Sequence, residues 1–539
     1  MTRETEILPG ILFEDDHLLV VNKPPGWNTH APGPYAGEGL YDWLRHREPR
    51  WASLAIIHRL DKETSGLLVF AKTVPANRSL TGQFTQRTAA KRYLLLTDAA
   101  GPHHPLLVKS CLARLGERYA SRPVHAGAPV AETRFQRLGL AAGHTLVEAA
   151  PLTGRTHQIR VQAADAGFSV LGDRLYGGKP AVRVCLHAAA LHLRHPATQQ
   201  LMQFEAAVDW EADPRLARRE AIIDPGATDA FRLVHGAADD APGWFVDRLG
   251  DFLLSHAAAP LSAAHRELLT AWQVRLRSRG AYHRLLEPRA RCAASEGLSP
   301  VHVQGERADD EILVRENGVT FALRFNEGYG VGLFLDQRDN RRRLLANHVA
   351  AGFPAFGVTP GQATVLNLFA YTCGFSVCAA LAGARTTNVD LSRKHLDWGK
   401  RNFALNGLDA SAHEFLAGEA FGWLRRLARK GRRFDVVLLD PPTFSTSKEG
   451  GRFSAERDLA RLVSAAIVLL RGQGVLFAST NAGGYAPQRF VQDVRAAIER
   501  AGWRVLRQHY VPQPPDFPIT REQPAHLKTV WLRLSASQR

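Results

Sequence analysis

The stretch TVLNLFAYTCGFSVCAALAGARTTNVD, from Thr364 to Asp390, predicts the fold of the second half of the chain. The apolar strand TVLNLF runs into a short loop, the helix FSVCAALAGA follows, and a second strand ends in TTNVD. Downstream, FDVVLLD and QGVLFAST are further predicted strands separated by helical segments. Continuous apolar strands that alternate with helices are typical of a mostly parallel sheet covered on both faces. We therefore expect a Rossmann-like α/β domain over residues 346–539.

Two acids mark the ligand edge of this predicted sheet. Asp390 ends the second strand, 21 residues after Phe369, and an acid at that point suits hydrogen bonding to ribose hydroxyls. The GxGxxG pattern is absent, which disfavours a dinucleotide. Asp440 follows the strand FDVVLL and opens the rigid loop DPPTFSTSK, where a carboxylate could orient a planar base beside a sulfonium methyl donor. A plain α/β core and a simple turn are the alternatives for these two stretches.

The rest of the chain divides into three predicted segments. Residues 1–212 are rich in short β-like runs and predict a mixed β-sheet domain. Residues 213–227 are polar, contain two prolines and suit a linker. Residues 228–345 mix strand and helix signals and predict a small α+β domain, which we expect to bind RNA or substrate. The whole chain is therefore predicted as multidomain α+β and α/β.

Candidate catalytic residues also lie in the first segment. The loop HRLDKETSG places Asp61 before a Thr-Ser-Gly turn, and a lone aspartate in such a loop is structural more often than catalytic. Two other stretches favour a catalytic role for this acid. KRYLLL supplies Tyr93, and LTGRTHQIRV supplies Arg155, His157 and Arg160 in a polar turn.

Size, charge and cysteine content narrow the class of protein. The 539 residues are 45% apolar and 22% charged, which is typical of a soluble globular protein with several domains. Since there is neither an apolar run of membrane-spanning length nor a signal-peptide pattern, we expect a cytoplasmic protein. Five scattered cysteines disfavour a disulfide framework or a metal site. The net charge of +16 favours an anionic partner such as nucleic acid, although an arginine-rich high-GC genome predicts the same surplus.

The N-terminal segment resembles the RluA-type pseudouridine synthases. The matching pieces occur in that family's order and are NKPPGW, HRLDKETSGLLVFAK, KRY, LTGRTHQIRV, GDRLYGG and LHAAALHLRHP. The resemblance implies isomerisation of uridine to pseudouridine in RNA, without a metal or an organic cofactor.

The same resemblance implies roles for single residues. Asp61 would attack the sugar or take its 2′ proton, and Arg155 would keep this acid ionised through an ion pair. Tyr93 would stack on the uracil and help to remove the C5 proton. The uridine would be flipped out of its helix or loop. The remaining residues would contact RNA, namely Arg59, His157 and Arg160.

The C-terminal part looks like the large-subunit rRNA methyltransferases of the RlmI/RlmK type. The matching pieces are FDVVLLDPPTFSTSK, RLVHGAADDAPGWFVDRLGD and GLFLDQRDNRR, so the resemblance extends into the middle segment. It implies a class I methyltransferase domain, S-adenosylmethionine as the cofactor and large-subunit rRNA as the partner.

This second resemblance also implies cofactor-binding and transfer residues. Asp440 would line the transfer site. The cofactor would be held by Phe369, Gly374, Asp390 and Glu419, with Glu419 facing adenine and with Asp336 and Arg338 closing over it. Two departures from the family pattern are Cys373, where a small residue is common, and Glu419, where aspartate is usual.

The cysteine positions bear on which base atom is methylated. Carbon-5 of cytosine needs a thiolate nucleophile, and neither DPPTFSTSK nor LFASTNAGGY contains cysteine. A guanine ring nitrogen is already nucleophilic, so we favour it and keep cytosine carbon-5 as the alternative. For the whole chain we expect a bifunctional rRNA-modifying enzyme. The alternatives are a pseudouridine synthase whose second half only binds RNA, and a non-catalytic ribosome-assembly factor.

Overall fold

The computed structural model of the protein describes two compact units. The described residues are 8–286, 299–328, 330–357, 361–447 and 451–536, with the backbone alone for residues 445–447 and 451–452. Unit 1 comprises residues 8–31, 39–42 and 53–224, and unit 2 comprises residues 32–38, 43–52 and the described residues from 225 onward. Within these ranges, no helix combines the length and the apolar character needed to cross a membrane.

Unit 1 is built around a mixed sheet of eleven described strands. In chain order these strands are β1 Ile11–Glu14, β2 Leu18–Lys23, β3 Ala55–Ile56, β4 Ser65–Ala71, β5 Ala90–Thr97, β6 Leu106–Leu115, β7 Arg118–Arg122, β8 Val130–Ala141, β9 His144–Pro151, β10 Leu186–Arg194 and β11 Leu201–Glu205. Their order across the sheet is β1-β2-β4-β10-β5-β9-β8-β6-β7, with β3 paired to β4 and β11 to β10. The helices along this part of the chain are α1 Leu40–Arg47, α2 Val74–Thr85, α3 Gln158–Asp165 and α4 Pro214–Ile222. The predicted mixed β-sheet domain is confirmed.

Unit 2 contains a five-stranded sheet, a seven-stranded sheet and two hairpins. The strands before the large sheet are β12 Ala230–His235, β13 Trp244–Leu249, β14 Phe252–Ala257, β15 Gly280–Leu285, β16 Val301–Gly305, β17 Ile312–Glu316 and β18 Val319–Leu323. The later strands are β19 Thr364–Leu368, β20 Arg385–Asp390, β21 Glu414–Ala417, β22 Phe434–Leu439, β23 Phe444–Ser447, β24 Gly451–Ser454, β25 Leu470–Thr480, β26 Trp503–Pro512 and β27 Lys528–Ala536. The helices are α5 Ala263–Leu276, α6 Arg338–Leu345, α7 Gly374–Leu381, α8 Arg393–Leu405, α9 Ala420–Arg429, α10 Ala455–Ile467 and α11 Pro487–Arg500.

The seven-stranded sheet has the predicted Rossmann-like character. Its order is β21-β20-β19-β22-β25-β27-β26. β19 runs parallel to both β20 and β22, whereas β27 is antiparallel to its neighbours β25 and β26. The strand order reverses between β19 and β22, and in such sheets ligands bind beside the carboxyl ends at the reversal point.

The predicted linker at residues 213–227 contains helix α4. Asp213 caps this helix, because its carboxylate accepts a hydrogen bond from the backbone N–H of Arg215 at 2.9 Å. Residues up to 224 belong to unit 1. The five-stranded sheet β12–β16 and the hairpin β17–β18 lie within the predicted middle segment, 228–345, whose boundaries stay predictions.

Gly66 permits the close approach of two central strands in unit 1. All seven residues of β4 are buried, as its sequence SGLLVFA indicates. β4 runs parallel to β10, where Gly66 lies opposite Ala188. Gly66 has a φ of 113°, and a Cβ atom at this position would lie 2.3 Å from the Ala188 carbonyl oxygen. Glycine is therefore required at the point where the loop HRLDKETSG enters the sheet.

We expect Gly66→Ala to lower the free energy of unfolding by at least about 2 kcal/mol, because the new methyl group must displace backbone at an unfavourable φ. Gly82→Ala is the matched control: Gly82 lies in helix α2, and an added Cβ meets nothing within 4 Å. This control should be neutral or stabilising by up to about 1 kcal/mol. Urea unfolding of the full-length variants measures both values, and equal stability of the two variants would contradict the packing of β4 against β10.

Candidate active sites

The loop that carries Asp61 is held on both sides in unit 1. Lys23 is fully buried and donates hydrogen bonds to the carbonyl oxygens of Trp27 and Lys62, at 2.8 and 3.1 Å. Burial lowers the pKa of Lys23 to about 7. The backbone N–H of Thr64 donates to the Asp61 carbonyl oxygen at 3.2 Å. These contacts hold the backbone around Asp61, whose side chain stays partly exposed.

Arg160, and not Arg155, makes the ion pair with Asp61. The Arg160 guanidinium lies 3.6 Å from the Asp61 carboxylate, 3.4 Å from that of Glu63 and 2.6 Å from that of Asp173. The prediction that Arg155 holds Asp61 is therefore wrong. Arg155 lies in the exposed turn before α3 and forms no ion pair within the described residues, whereas Arg160 lies in the first turn of α3 and is buried.

The burial of Arg160 also corrects its predicted role in RNA binding. Only 3% of its side chain is exposed, and its guanidinium is engaged by three carboxylates. Burial alone would lower the pKa of Arg160, but Asp173 and the two other acids raise it. A buried arginine with this set of partners orients Asp61 from inside the protein and is not available to a phosphate.

Tyr93 faces the same acid from the central sheet. It lies on β5, where it pairs with Ala188 of β10 and Ala149 of β9. Burial raises the pKa of the Tyr93 hydroxyl, and the negative charge of Asp61 raises it further. The structure therefore brings Asp61, Tyr93 and Arg160 together, and it keeps the Tyr93 hydroxyl protonated at neutral pH.

The other two predicted RNA contacts of unit 1 are His157 and Arg59. His157 has a left-handed backbone with a φ of 56°, and its Nδ1 lies 2.7 Å from the Tyr176 hydroxyl. Burial lowers the pKa of His157, while the charge of Asp61 opposes that shift. Arg59 is exposed and forms no ion pair among the described residues. Tyr176 received no role from the sequence, although it lies in the conspicuous stretch GDRLYGG.

In unit 2 the predicted site residues lie at the carboxyl ends of four adjacent strands. Asp390 ends β20, Glu419 follows β21, and Asp440 follows β22. The loop after β19 carries Phe369 and leads to Gly374 at the start of α7. Since neighbouring parallel strands end at the same edge of the sheet, these residues line one cavity, as the sequence predicted.

The loop after β19 has an unusual backbone. Phe369, Tyr371 and Cys373 have φ values of 61°, 48° and 62°, in the left-handed region that disfavours residues other than glycine. Asp390 stabilises this loop, because its carboxylate accepts a hydrogen bond from the backbone N–H of Tyr371 at 2.8 Å. Gly399 of α8 leaves room for the Cys373 side chain, since a Cβ atom at position 399 would lie 2.5 Å from Cys373 Sγ. Strained loops of this kind are concentrated at binding sites.

Glu419 lines the cavity and also caps helix α9. Its two carboxylate oxygens accept hydrogen bonds from the backbone N–H groups of Phe421 and Gly422, at 3.0 and 2.7 Å. This contact is a helix N-cap that the sequence reasoning missed, although an acid before the apolar helix AFGWLRRLAR is a capping signal. The same contact fixes the side chain at the end of β21.

Asp440 lies in a network of polar side chains that face the cavity. Gln337 donates a hydrogen bond to its carboxylate at 3.1 Å, and the Ser479 hydroxyl donates a second one. Burial raises the pKa of Asp440 to about 6, with a further contribution from the charge of Asp336, whereas these hydrogen bonds and Arg341 lower it. Gln337 and Ser479 received no role from the sequence, although Gln337 lies in the matching piece GLFLDQRDNRR and Ser479 lies near the end of β25.

Arg338 does not line the cavity, contrary to prediction. Its side chain is 2% exposed, and its guanidinium donates two hydrogen bonds to the Asp516 carboxylate, at 2.8 and 2.6 Å. Asp336 does line the cavity, and His526 Nε2 lies 3.1 Å from its carboxylate. The adjacent side chains separate because Asp336 lies in a short turn and Arg338 starts α6, with its side chain in the core.

The cavity fits S-adenosylmethionine. Its volume is about 1070 Å³, and Asp390 lies where a carboxylate can accept hydrogen bonds from ribose hydroxyls. Gly374 opens helix α7 into the cavity, and a Cβ atom there would lie 3.3 Å from Arg341 and 3.4 Å from Leu333. Phe369 and Phe453 contribute aromatic walls to the cavity, with ring centroids 5.9 Å apart.

Two protein families match the two parts of the chain. Residues 17–165 match the family of RNA pseudouridylate synthases. Residues 261–533 match the family of S-adenosylmethionine-dependent methyltransferases. Both resemblances seen in the sequence are thereby confirmed.

Individual proteins show the same division. The ribosomal RNA large subunit methyltransferase of Deinococcus radiodurans is 32% identical over 336 residues, which cover 60% of this chain and 79% of that protein. The ribosomal large subunit pseudouridine synthase C of Salmonella typhimurium is 40% identical over 214 residues, which cover 37% of this chain and 66% of that protein. A solved structure from Streptococcus mutans, described as a SAM-dependent methyltransferase, is 27% identical with a TM-score of 0.50 and covers 59% of this chain and 78% of that one.

The fold and the two sites therefore define an enzyme that joins two RNA-modifying domains in one chain. The chain belongs to the family of S-adenosylmethionine-dependent methyltransferases, whose model spans just over half of it, and its N-terminal part is an RNA pseudouridine synthase domain.

We expect Arg160→Gln to lower the free energy of unfolding by about 3 to 5 kcal/mol, because it leaves the Asp173 carboxylate buried without its partner. Arg155→Gln is the control and should change stability by less than about 0.5 kcal/mol, since Arg155 is exposed. Thermal and urea unfolding of the full-length variants measure both effects. A destabilising Arg155→Gln with a silent Arg160→Gln would refute the assigned ion pair.

Proposed function

We propose that the chain modifies large-subunit rRNA at two nucleotides. Asp61 is the catalytic carboxylate of uridine isomerisation, and Asp440 lies at the site of guanine methylation. One observation supports the proposal above all: in each unit, the aspartate of the predicted motif lies together with other candidate site residues. Asp61 meets Tyr93 and Arg160 in unit 1, and Asp440 lines the cavity at the strand ends in unit 2.

In unit 1, the proposed chemistry breaks the N1–C1′ bond of uridine and forms a C5–C1′ bond. The C5 proton is lost and N1 gains a proton, so the net reaction is an isomerisation. The Asp61 carboxylate either attacks the sugar or takes its 2′ proton. Because the raised pKa of Tyr93 makes its hydroxyl a poor base, we assign it to stacking on the uracil. Arg59 is exposed and remains a proposed RNA contact, and we now assign the exposed Arg155 to a phosphate contact as well.

In unit 2, bound S-adenosylmethionine supplies an activated methyl group. Asp390 would hold the ribose, Phe369 and Glu419 would border the adenine, and Gly374 would permit close approach of the α7 N-terminus. Asp440 would accept a hydrogen bond from the acceptor base and orient its nitrogen.

The positions of the described cysteines in unit 2 favour guanine over cytosine as the base that is methylated. Cys373 is absent from the residues that line the cavity, and burial raises the pKa of its thiol. Cys378 is buried inside α7. Cys292 lies outside the described residues. Methylation of cytosine carbon-5 needs a thiolate beside the base, whereas a guanine ring nitrogen needs positioning only.

Large-subunit rRNA is proposed as the partner because the relatives of both parts are named for it. Surface charge supports an RNA partner for unit 2. Helix α9 and the turn after it expose five basic residues that form no ion pair within the described chain. They are Arg425, Arg426, Arg429, Lys430 and Arg433. Such a run neutralises phosphates in proteins that bind nucleic acids.

We expect Asp61→Asn and Asp440→Asn to separate the two reactions. The first should lower isomerisation at least about 100-fold and leave methylation intact, because it removes only the unit 1 carboxylate. The second should do the reverse. Mass-spectrometric mapping of rRNA from a deletion strain that expresses each full-length variant measures both modifications at once. If the wild-type protein restores neither modification in the deletion strain, the proposal is wrong. If it restores only one, the other half of the chain is an RNA-binding module.

We also expect methylation to depend on the protonation of Asp440. With a pKa of about 6, the carboxylate becomes protonated as the pH falls through that value, and the neutral acid accepts a hydrogen bond from the base much more weakly. The single-turnover methylation rate should therefore fall about tenfold per pH unit below the pKa. Asp440→Asn should give a slow rate without this acidic limb. An unchanged wild-type rate down to pH about 5 would contradict a role for the carboxylate.

A further inference from the structure

The cavity of unit 2 extends beyond the residues that the proposed function uses. We call the second lobe the part of this cavity that is lined by Arg232, His235 and Phe245 of the small five-stranded sheet, together with Phe517 and His526. The first three residues belong to the stretch RLVHGAADDAPGWFVDRLGD, to which the proposed function assigns no task.

This second lobe begins beside Asp440. The charge of Asp336 acts on the pKa of Asp440, so these two acids lie close together. The His526 ring nitrogen lies 3.1 Å from the Asp336 carboxylate, and the ring centroids of His526 and His235 are 5.5 Å apart. A ligand in the second lobe would therefore lie next to the residues at the carboxyl end of β22.

The walls of the lobe consist of aromatic rings and one guanidinium. The Arg232 guanidinium lies 4.5 Å from the ring centroid of Phe517 and 5.4 Å from that of Phe245. The His235 ring lies 5.3 Å from Phe517 and 5.6 Å from Phe245, by centroid. Flat rings next to a cation and a carboxylate are the groups with which proteins stack and read a flipped nucleobase.

Buried partners hold this wall in place. Asp247 accepts a hydrogen bond from Arg232 Nε at 2.5 Å, and His256 Nε2 lies 2.9 Å from the same carboxylate. Burial alone would raise the pKa of Asp247, but Arg232 and His256 lower it to about 2. The Arg232 side chain is thus oriented before any ligand enters.

We propose that this lobe binds the guanine that receives the methyl group, with the partly exposed rings of Phe245 and His526 against the base and Asp336 accepting from its N–H edge. The buried rings of His235 and Phe517 support this surface from behind. The inference rests on the proposed function and names the acceptor-base site within it. Guanine suits the lobe because its N1 and N2 donors match a carboxylate and its O6 acceptor matches an adjacent cation, which leaves the lone pair of N7 free to take the methyl group.

The test uses the full-length protein saturated with S-adenosylhomocysteine, and guanosine 5′-monophosphate as the probe. Phe245→Leu and His526→Gln each replace a partly exposed ring by a non-aromatic side chain of similar size. Each should weaken binding of the probe at least about 5-fold, within the range of about 5- to 150-fold that one lost base stack corresponds to. Calorimetry should show the affinity for S-adenosylhomocysteine unchanged within about twofold.

Phe415→Leu is the matched control, because Phe415 is a half-buried phenylalanine on β21 that does not line the cavity. It should leave binding of both compounds unchanged. Probe binding that is equal in wild type and both variants overturns the inference, as does tighter binding of cytidine 5′-monophosphate. Loss of S-adenosylhomocysteine binding in both variants overturns it too, because the lobe would then belong to the cofactor site.

Reaction rates on rRNA distinguish a failure of this inference from a failure of the proposed function. The variants should isomerise uridine at the wild-type rate, which would show that they are correctly folded. A wild-type protein that binds the guanosine probe but methylates no rRNA contradicts the proposed function and leaves the lobe as a nucleotide site. A wild-type protein that methylates rRNA with the same kcat/KM as both variants contradicts the lobe alone.

Discussion

A charge that is removed from water must be paired, and this constraint decides which arginines of the chain can meet a ligand. Arg160 and Arg338 are almost fully buried, and each is held by carboxylates within the protein. They hold loops and helices in place around the sites. The arginines that a phosphate can reach are exposed ones such as Arg155 and those of α9. The basic character of the chain therefore serves two separate purposes, internal bracing and attraction of an anionic partner.

The two sites are made by different means. In unit 2 the topology of the sheet brings together residues that are far apart in sequence, because four parallel strands end at one edge. In unit 1 the sheet supplies Tyr93, while a loop supplies Asp61 and a helix supplies Arg160. Contacts made by buried side chains therefore fix the geometry of the unit 1 site. Lys23 holds the backbone of the loop, and Arg160 pairs with the Asp61 carboxylate.

The acids of both sites could be predicted from the sequence, and their partners could not. Asp390 and Asp440 follow apolar strands directly, so their place at the sheet edge follows from strand periodicity. The partner of Arg338 is Asp516, 178 positions away, and no local pattern indicates that pair. The choice between Arg155 and Arg160 depended on where α3 begins, which sequence patterns locate poorly. An acid before the helix AFGWLRRLAR predicts the cap formed by Glu419, whereas the resemblance predicts only a contact between Glu419 and adenine.

The left-handed conformation at Cys373 has a consequence for the evolution of the cofactor loop. A thiol fits there because α8 carries no side chain at position 399, where a methyl group would collide with the sulfur. The two positions are thus mutually dependent. In homologous sequences, glycine at 373 should tolerate alanine or serine at 399, whereas a larger residue at 373 should occur together with glycine at 399. Covariation between these two columns would record a steric exclusion that neither position shows when it is considered singly.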